Sequence, residues 1–392
     1  MISFPNSARI AAVLGSLVIC VSSIAEVPQG QGTSSQATLY VGTYTKAKSK
    51  GIYLLHMDLA TGKLTEPELA AETTNPSYLA IAPGRKFLYA AAEIDNFNGK
   101  HSGAISAFAI DPASGKLTLL NAQPSGGSGP CFVTIDKAGR NALVANYNTG
   151  SVAVLPIGDD GKVGEPSSVI QHHGSGPDKS RQAGPHAHSI NLDAANRFAL
   201  ACDLGLDKVF VYQFDGAKGT LTANDPQSAA APPGAGPRHL VFHPNGRFVY
   251  VSDEMAHAVT SFSYDADKGV LTSMETVPTL PADFHGSDTS ADLHMHPSGK
   301  FLYASDRGAN TIAVFSVDAE TGKLTPASHQ STGGKTPRNF AIDPTGAFLI
   351  AANQDSNSLV VFRIDAQTGA LTPTGDSAEV GAPVCVKFVE MP

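Results

Sequence analysis

Gly236-Pro237-Arg238-His239-Leu240-Val241-Phe242-His243-Pro244-Asn245-Gly246-Arg247-Phe248-Val249-Tyr250-Val251-Ser252-Asp253 reads as two strands around one turn. Proline fixes φ at the start of the turn, glycine accepts positive φ, and the flanking runs are β-branched and aromatic. Val259 to Tyr264 continues as a third alternating run. The same unit returns along the chain. It is carried by Asn75-Pro76-Ser77 with Pro83-Gly84-Arg85, by Gly129-Pro130-Cys131 with Gly139-Arg140, and by Ala187-His188-Ser189 with Arg197-Phe198. Ala291-Asp292-Leu293 with Pro297-Ser298-Gly299 and Pro337-Arg338-Asn339 with Pro344-Thr345-Gly346 follow, and Ala382-Pro383-Val384 opens a truncated last copy.

Aligned on the residue after the proline, the copies stand at 77, 131, 188, 238, 291, 338 and 384, with steps of 46 to 57 residues. A period near 50 with about four short strands per unit is the pattern of a β-propeller. A second turn, Asp-x-x-Thr-Gly-Lys-Leu, recurs at Asp58–Leu64 and Asp318–Leu324, with near-copies at Asp111–Leu117 and Asp365–Leu371. The last copy stops after one strand, while Thr38–Tyr44 and Gly51–Asp58 supply strands that no copy owns. The expected fold is therefore all-β, a seven-bladed β-propeller whose last blade is closed by the N- and C-terminal strands. Closure of this kind removes exposed strand edges.

Composition agrees with a globular chain. Of 392 residues, 42% are apolar and 16% charged, and the net charge of -8 with no Lys/Arg run gives no reason to expect nucleic acid. Residues 1–25 read as an export signal: Arg9, the apolar stretch Ile10 to Ile19, then Ser23-Ile24-Ala25 with small residues at the cleavage positions. The stretch is too short to span a bilayer, so no membrane insertion is expected after signal cleavage. Residues 26–36 read as a polar linker and 37–392 as the propeller. The expected location is periplasmic or secreted. Cys131, Cys202 and Cys385 are odd in number and lack zinc spacing, so they read as buried small apolar residues.

Two ring positions break the repeat. The residue after the proline is Ser77, Cys131, His188, Arg238, Ala291, Arg338 or Val384. The residue seven beyond the turn's Arg/Lys position is Glu93, Tyr147, Leu204, Glu254, Arg307 or Gln354, with Tyr44 as approximate counterpart in the shared blade. Framework positions keep one residue type; these two positions collect acids, an imidazole and guanidiniums in a chain with few charges. Two guanidiniums can fork onto an anion or stabilise an oxyanion, and His or Glu can move protons near neutrality. His188, Arg238, Glu254 and Arg307 are the catalytic candidates, with His186, Arg338, Glu93 and Tyr147 as substrate-binding candidates. No metal and no cofactor is expected. His243 and His296 stand where other blades hold Asp136, Asp193 and Asp343, and read as turn residues. The Gly/Ser-rich insertion 171–185, with His172, Asp178 and Arg181, reads either as a lid or as a plain loop.

Leu39-Tyr40-Val41-Gly42-Thr43-Tyr44, Gly184-Pro185-His186-Ala187-His188, Gly236-Pro237-Arg238-His239 with Ser252-Asp253-Glu254, and Ala304-Ser305-Asp306-Arg307-Gly308 together resemble the seven-bladed lactonase family. That family includes the propeller-type 6-phosphogluconolactonases and the fungal carboxymuconate lactonizing enzymes, and the resemblance covers about residues 37–390. In the lactonizing branch it implies a site of one His, two Arg and one Glu, which fall on His188, Arg238, Glu254 and Arg307. The implied activity is hydrolysis of a sugar or sugar-acid lactone, as in a 6-phosphogluconolactonase of carbohydrate metabolism. A cycloisomerase acting on a muconate-type lactone is the alternative within the family, and a non-enzymatic ligand- or partner-binding propeller of the cell envelope is the alternative outside it. An export signal sits poorly with a cytosolic sugar phosphate, so the resemblance implies lactone chemistry more than that substrate. The expected partner is a small-molecule lactone or anionic sugar acid, and the expected state a monomer.

Overall fold

The computed structural model describes residues 36–45 and 48–389. Residues 1–25, read above as an export signal, and all of residues 26–36 except Gln36 lie outside them. Gln36 already belongs to a strand, Gln36–Thr43, so the propeller begins one residue earlier than the sequence pattern suggests. The described residues form seven four-stranded antiparallel sheets, one per blade. Six are built from consecutive strands. The seventh is built from both ends: Pro383–Phe388 pairs with Gln36–Thr43, which pairs with Gly51–Asp58 and, through it, with Glu68–Glu72. Its closing register runs from Leu39 opposite Phe388 to Thr43 opposite Pro383.

The innermost strands are Pro76–Ile81, Pro130–Ile135, Ala187–Leu192, Pro237–Phe242, Ser290–Met295, Pro337–Ile342 and Pro383–Phe388. Each starts one residue before the first ring position, so the sequence alignment and the strand register coincide. In every blade the pairing slips near that start. A bulge sets two residues against one and re-aims their side chains. Consecutive residues can then both turn toward the axis. Arg238 meets Glu254, and the next residue, His239, meets Tyr78 and Phe132 across the channel.

Neighbouring blades bury apolar faces against each other. Phe248, Tyr250 and Val259 of blade four, for example, share a cluster with Leu293, Leu302 and Phe315 of blade five. A polar clasp reinforces the seam: Tyr250 Oη donates to the carbonyl of Gly322, 3.0 Å away, in the Asp-x-x-Thr-Gly-Lys-Leu turn of the next blade. Tyr89 on Gly161, Tyr303 on Gly369 and Tyr40 on Gly115 repeat it, the last joining the shared blade to blade one. His243 and His296 serve as turn residues, as their register implies. Each Nδ1 accepts from a turn N–H, and each Nε2 bonds a glycine carbonyl of the following blade, Gly299 or Gly346. Cys131, Cys202 and Cys385 are free and buried. Among the described residues no helix is long and apolar enough to cross a membrane.

Candidate active site

The second ring position is the first residue after the second strand of each blade. Its backbone N–H donates to the carbonyl of the residue just before, or beginning, the blade's inner strand. The bond recurs seven times: Tyr44 to Ala382, Glu93 to Asn75, Tyr147 to Gly129, Leu204 to His186, Glu254 to Gly236, Arg307 to Thr289 and Gln354 to Thr336, at 2.8 to 3.1 Å. This repeated bond puts both variable positions at one mouth of the channel. It also makes Tyr44 the true counterpart in the shared blade.

The four catalytic candidates come together there around one carboxylate. Glu254 Oε2 lies 3.1 Å from Arg238 Nε, 3.0 Å from Arg307 Nη2 and 3.9 Å from His188 Nε2. All four side chains are buried or nearly so. Arg307 is aimed by two backbone carbonyls, accepting its Nε–H at Thr289 and its Nη2–H at Ser290. Arg238 Nε is close to the carboxylate, but its N–H does not point at that oxygen and has no hydrogen-bond partner. A buried charged donor left open in this way costs stability unless a ligand atom completes it.

The charges set the protonation states. Burial by itself raises the Glu254 carboxyl, but the guanidiniums of Arg307, Arg238 and Arg181 outweigh it and bring the pKa down to about 2. Burial first, then the charges of Arg238, His239 and Arg338, push His188 well below the ordinary histidine value of 6.5. At neutral pH the site therefore holds an ionised Glu254 and a neutral His188. Burial also lowers Arg307, to about 10, and it stays charged.

The substrate-binding candidates line the same mouth. His186 stacks on Tyr147, ring centroids 4.5 Å apart, and its Nδ1 bonds the Tyr147 carbonyl at 2.9 Å. Tyr44 Oη donates to Glu93 at 3.0 Å, and the Arg338 guanidinium lies 5.5 Å over the Tyr44 ring. Arg338 feels the charges of Glu93 and Glu254. Among the described residues it has no ion pair with either within 4.0 Å. It is the guanidinium of the mouth without a carboxylate partner, and so the one best placed to take a ligand's anionic group.

One residue of the mouth has no place in the repeat. Arg181, from the insertion 171–185, reaches Glu254 Oε1 at 2.6 Å and Tyr147 Oη at 3.2 Å. The insertion is pinned on both sides of it. His172 bonds Asp203 at 2.6 Å and the Tyr212 hydroxyl at 2.7 Å, and Gln182 donates to Leu204 and Asp207. His172 is thus a structural pin, while Arg181 joins the site. The available signal was an arginine carried by a Gly-rich insertion that directly precedes the His186-Ala187-His188 stretch.

The family model described as lactonase, 7-bladed beta-propeller, matches residues 38–388. The 6-phosphogluconolactonase of Bacillus subtilis strain 168 is 39% identical over 350 residues, which is 89% of this chain and 97% of the relative. A 6-phosphogluconolactonase of Formosa agariphila is 35% identical over 311 residues, covering 77% of this chain and 85% of the relative. Among solved structures, the periplasmic gluconolactonase of Pseudomonas aeruginosa superposes with a TM-score of 0.86 at 36% identity, over 91% of this chain and all of that one.

Proposed function

The chain belongs to the seven-bladed β-propeller lactonase family, and from that premise we propose that it hydrolyses a sugar or sugar-acid lactone at the mouth formed by His188, Arg238, Glu254 and Arg307. The observation that carries the reading is the grouping of a neutral, buried imidazole with guanidiniums that share one carboxylate. In the proposed reaction His188 takes a proton from water as the water oxygen attacks the lactone carbonyl carbon. The open Nε–H of Arg238, with Arg307, stabilises the oxyanion that forms. The carbonyl-to-ring-oxygen bond then breaks, and the His188 imidazolium returns the proton to the leaving ring oxygen. Ionised Glu254 stabilises that imidazolium and keeps the two guanidiniums oriented. Both of its oxygens are engaged by guanidiniums, which favours the neutral imidazole of His188 in the role of base.

Arg338 holds the anionic group of the substrate in this reading, Glu93 accepts from sugar hydroxyls, and the Tyr147–His186 stack forms a wall. The export segment 1–25 directs the protein to the periplasm or outside the cell, which favours a sugar lactone available there; the Pseudomonas aeruginosa relative is described as periplasmic.

The test is turnover of glucono-lactone, its 6-phosphate and a panel of other lactones by the purified protein, with products analysed in isotopic water. Hydrolysis incorporates one solvent oxygen. Arg238→Ala is expected to lower kcat by roughly 10²–10³-fold, the usual loss for an oxyanion donor. Full activity in both Arg238→Ala and Glu254→Gln sinks the assignment.

A further inference from the structure

The channel has a second compartment. Below the mouth, the bulged inner strands put Tyr78, Phe132, His239, Asp292 and Asn339 in one layer. Tyr78 and Phe132 stack at 4.2 Å, and both meet the His239 ring edge-on, at 5.7 and 5.3 Å. His239 Nδ1 bonds Asp292 at 2.7 Å, and Asn339 donates to the same carboxylate. This layer crosses the channel between His188 above and a cavity of about 720 Å³ below. The cavity opens at the other end of the same strands, and none of the four catalytic candidates lines it. Its size is that of a small-molecule site.

The charge balance of this cavity is one-sided. Asp292 is fully engaged: His239 and the Leu293 N–H bond one oxygen, His294 and Asn339 the other. Lys387 is half-buried in the wall. Its Nζ donates to the Tyr78 hydroxyl at 3.2 Å and sits 4.5 Å over the Tyr78 ring. Among the described residues it has no carboxylate within 4.0 Å. Arg85 and Lys137 stand at the rim. Asp292 is the carboxylate whose charge acts on Lys387, and Lys387, Arg85 and Lys137 against Asp292 leave the cavity net positive, which attracts an anion. The rest of the wall mixes apolar side chains, Ile81, Val133, Val241, Leu293 and Phe388, with Thr134, Asn191 and His294.

We propose that this lower cavity is a second binding site, taking a small organic carboxylate with an apolar body whose carboxylate pairs with Lys387. The apolar side chains of the wall give such a body a surface to bury against, which a polyhydroxy acid or inorganic phosphate lacks. The inference is independent of the reaction at the upper mouth.

Calorimetric titration of the full chain with sodium benzoate tests it, with gluconate and inorganic phosphate as comparisons. Saturable benzoate binding is expected, weakened roughly tenfold or more by Lys387→Met, as for loss of a charge-assisted contact. Ala80→Phe, which fills the cavity from the strand position two residues beyond Tyr78, is expected to abolish binding by a route that does not touch the charge. Lactone turnover is expected to be unchanged in both variants, which also shows them folded. Absence of saturable benzoate binding up to about 10 mM overturns the proposal. So does binding that survives both variants but is lost in Arg338→Met, since that places the anion at the upper mouth.

Discussion

At the scale of single residues, the mouth is governed by how its charges set one another's protonation. Glu254 is the hub. Three guanidiniums hold its carboxyl at about 2, while burial, followed by the charges of Arg238, His239 and Arg338, keeps His188 neutral. The sign of the resulting pH dependence follows. A base whose pKa is depressed stays unprotonated down to acid pH, so kcat/KM for lactone hydrolysis is expected to stay level through pH 6.5 and to fall only well below it. Arg338 is one of the charges that depress His188. Arg338→Met therefore moves the acid limb upward, toward the ordinary histidine range, besides raising KM. Rate profiles of the two proteins between pH 4 and 8 check this; an acid limb that ignores Arg338 removes His188 from the role of base. His188, Arg238, Glu254 and Arg307 were legible in the sequence as candidates, because a repeat makes departures from it visible, although the same departures also offered Arg338 and Glu93. The open N–H of Arg238 and the lowered pKa of Glu254 were not legible there. Both depend on angles and distances between side chains from different blades.

At the scale of elements, a small clasp joins neighbouring blades at their seams. Gly322 adopts φ +74 in its turn, and a Cβ there would stand 2.4 Å from the Phe248 ring of the preceding blade. A side chain at this point meets both a strained backbone and an occupied seam. Gly322→Ala is expected to cost about 1–3 kcal/mol of stability, and Tyr250→Phe, which leaves the Gly322 carbonyl without its donor, about 1 kcal/mol or more. Denaturant unfolding of the two variants measures this; a Gly322→Ala chain as stable as the parent contradicts the clasp. The turn motif containing Gly322 was readable in the sequence as a turn. Its second role, as the surface on which the neighbouring blade's aromatic ring rests, appears only when the blades are side by side. The bulge at each inner strand is of the same kind: the local sequence gives a plain strand, and the slip arises from pairing.

At the scale of the whole molecule, the ring holds through one seam made by residues far apart in sequence. Pro383–Phe388 covers the edge of Gln36–Thr43, and the Val386 N–H donates to Asn339 Oδ1 of blade six at 2.7 Å. A chain ending at Gly381 loses this strand and exposes an edge strand together with an apolar blade face. It is expected to lose cooperative unfolding and to self-associate, as seen by circular dichroism during heating and by light scattering after size-exclusion chromatography. A truncated chain with the parent's size in solution and unchanged melting would show that the seam is dispensable.

The sequence by itself determined the seven-fold repeat, the shared last blade and the two ring positions where chemistry gathers. Those follow from local turn chemistry, strand periodicity and counting, which a linear chain carries in full. The tertiary structure alone decided that Arg181 joins the mouth, that three guanidiniums gather on the Glu254 carboxylate beside a neutral His188, and that a polar layer divides the channel above a cavity lined by Lys387. Each of these depends on groups brought together from separate blades or from an insertion outside the repeat. Burial and Coulomb interaction act through that closeness in space, whatever the separation along the chain.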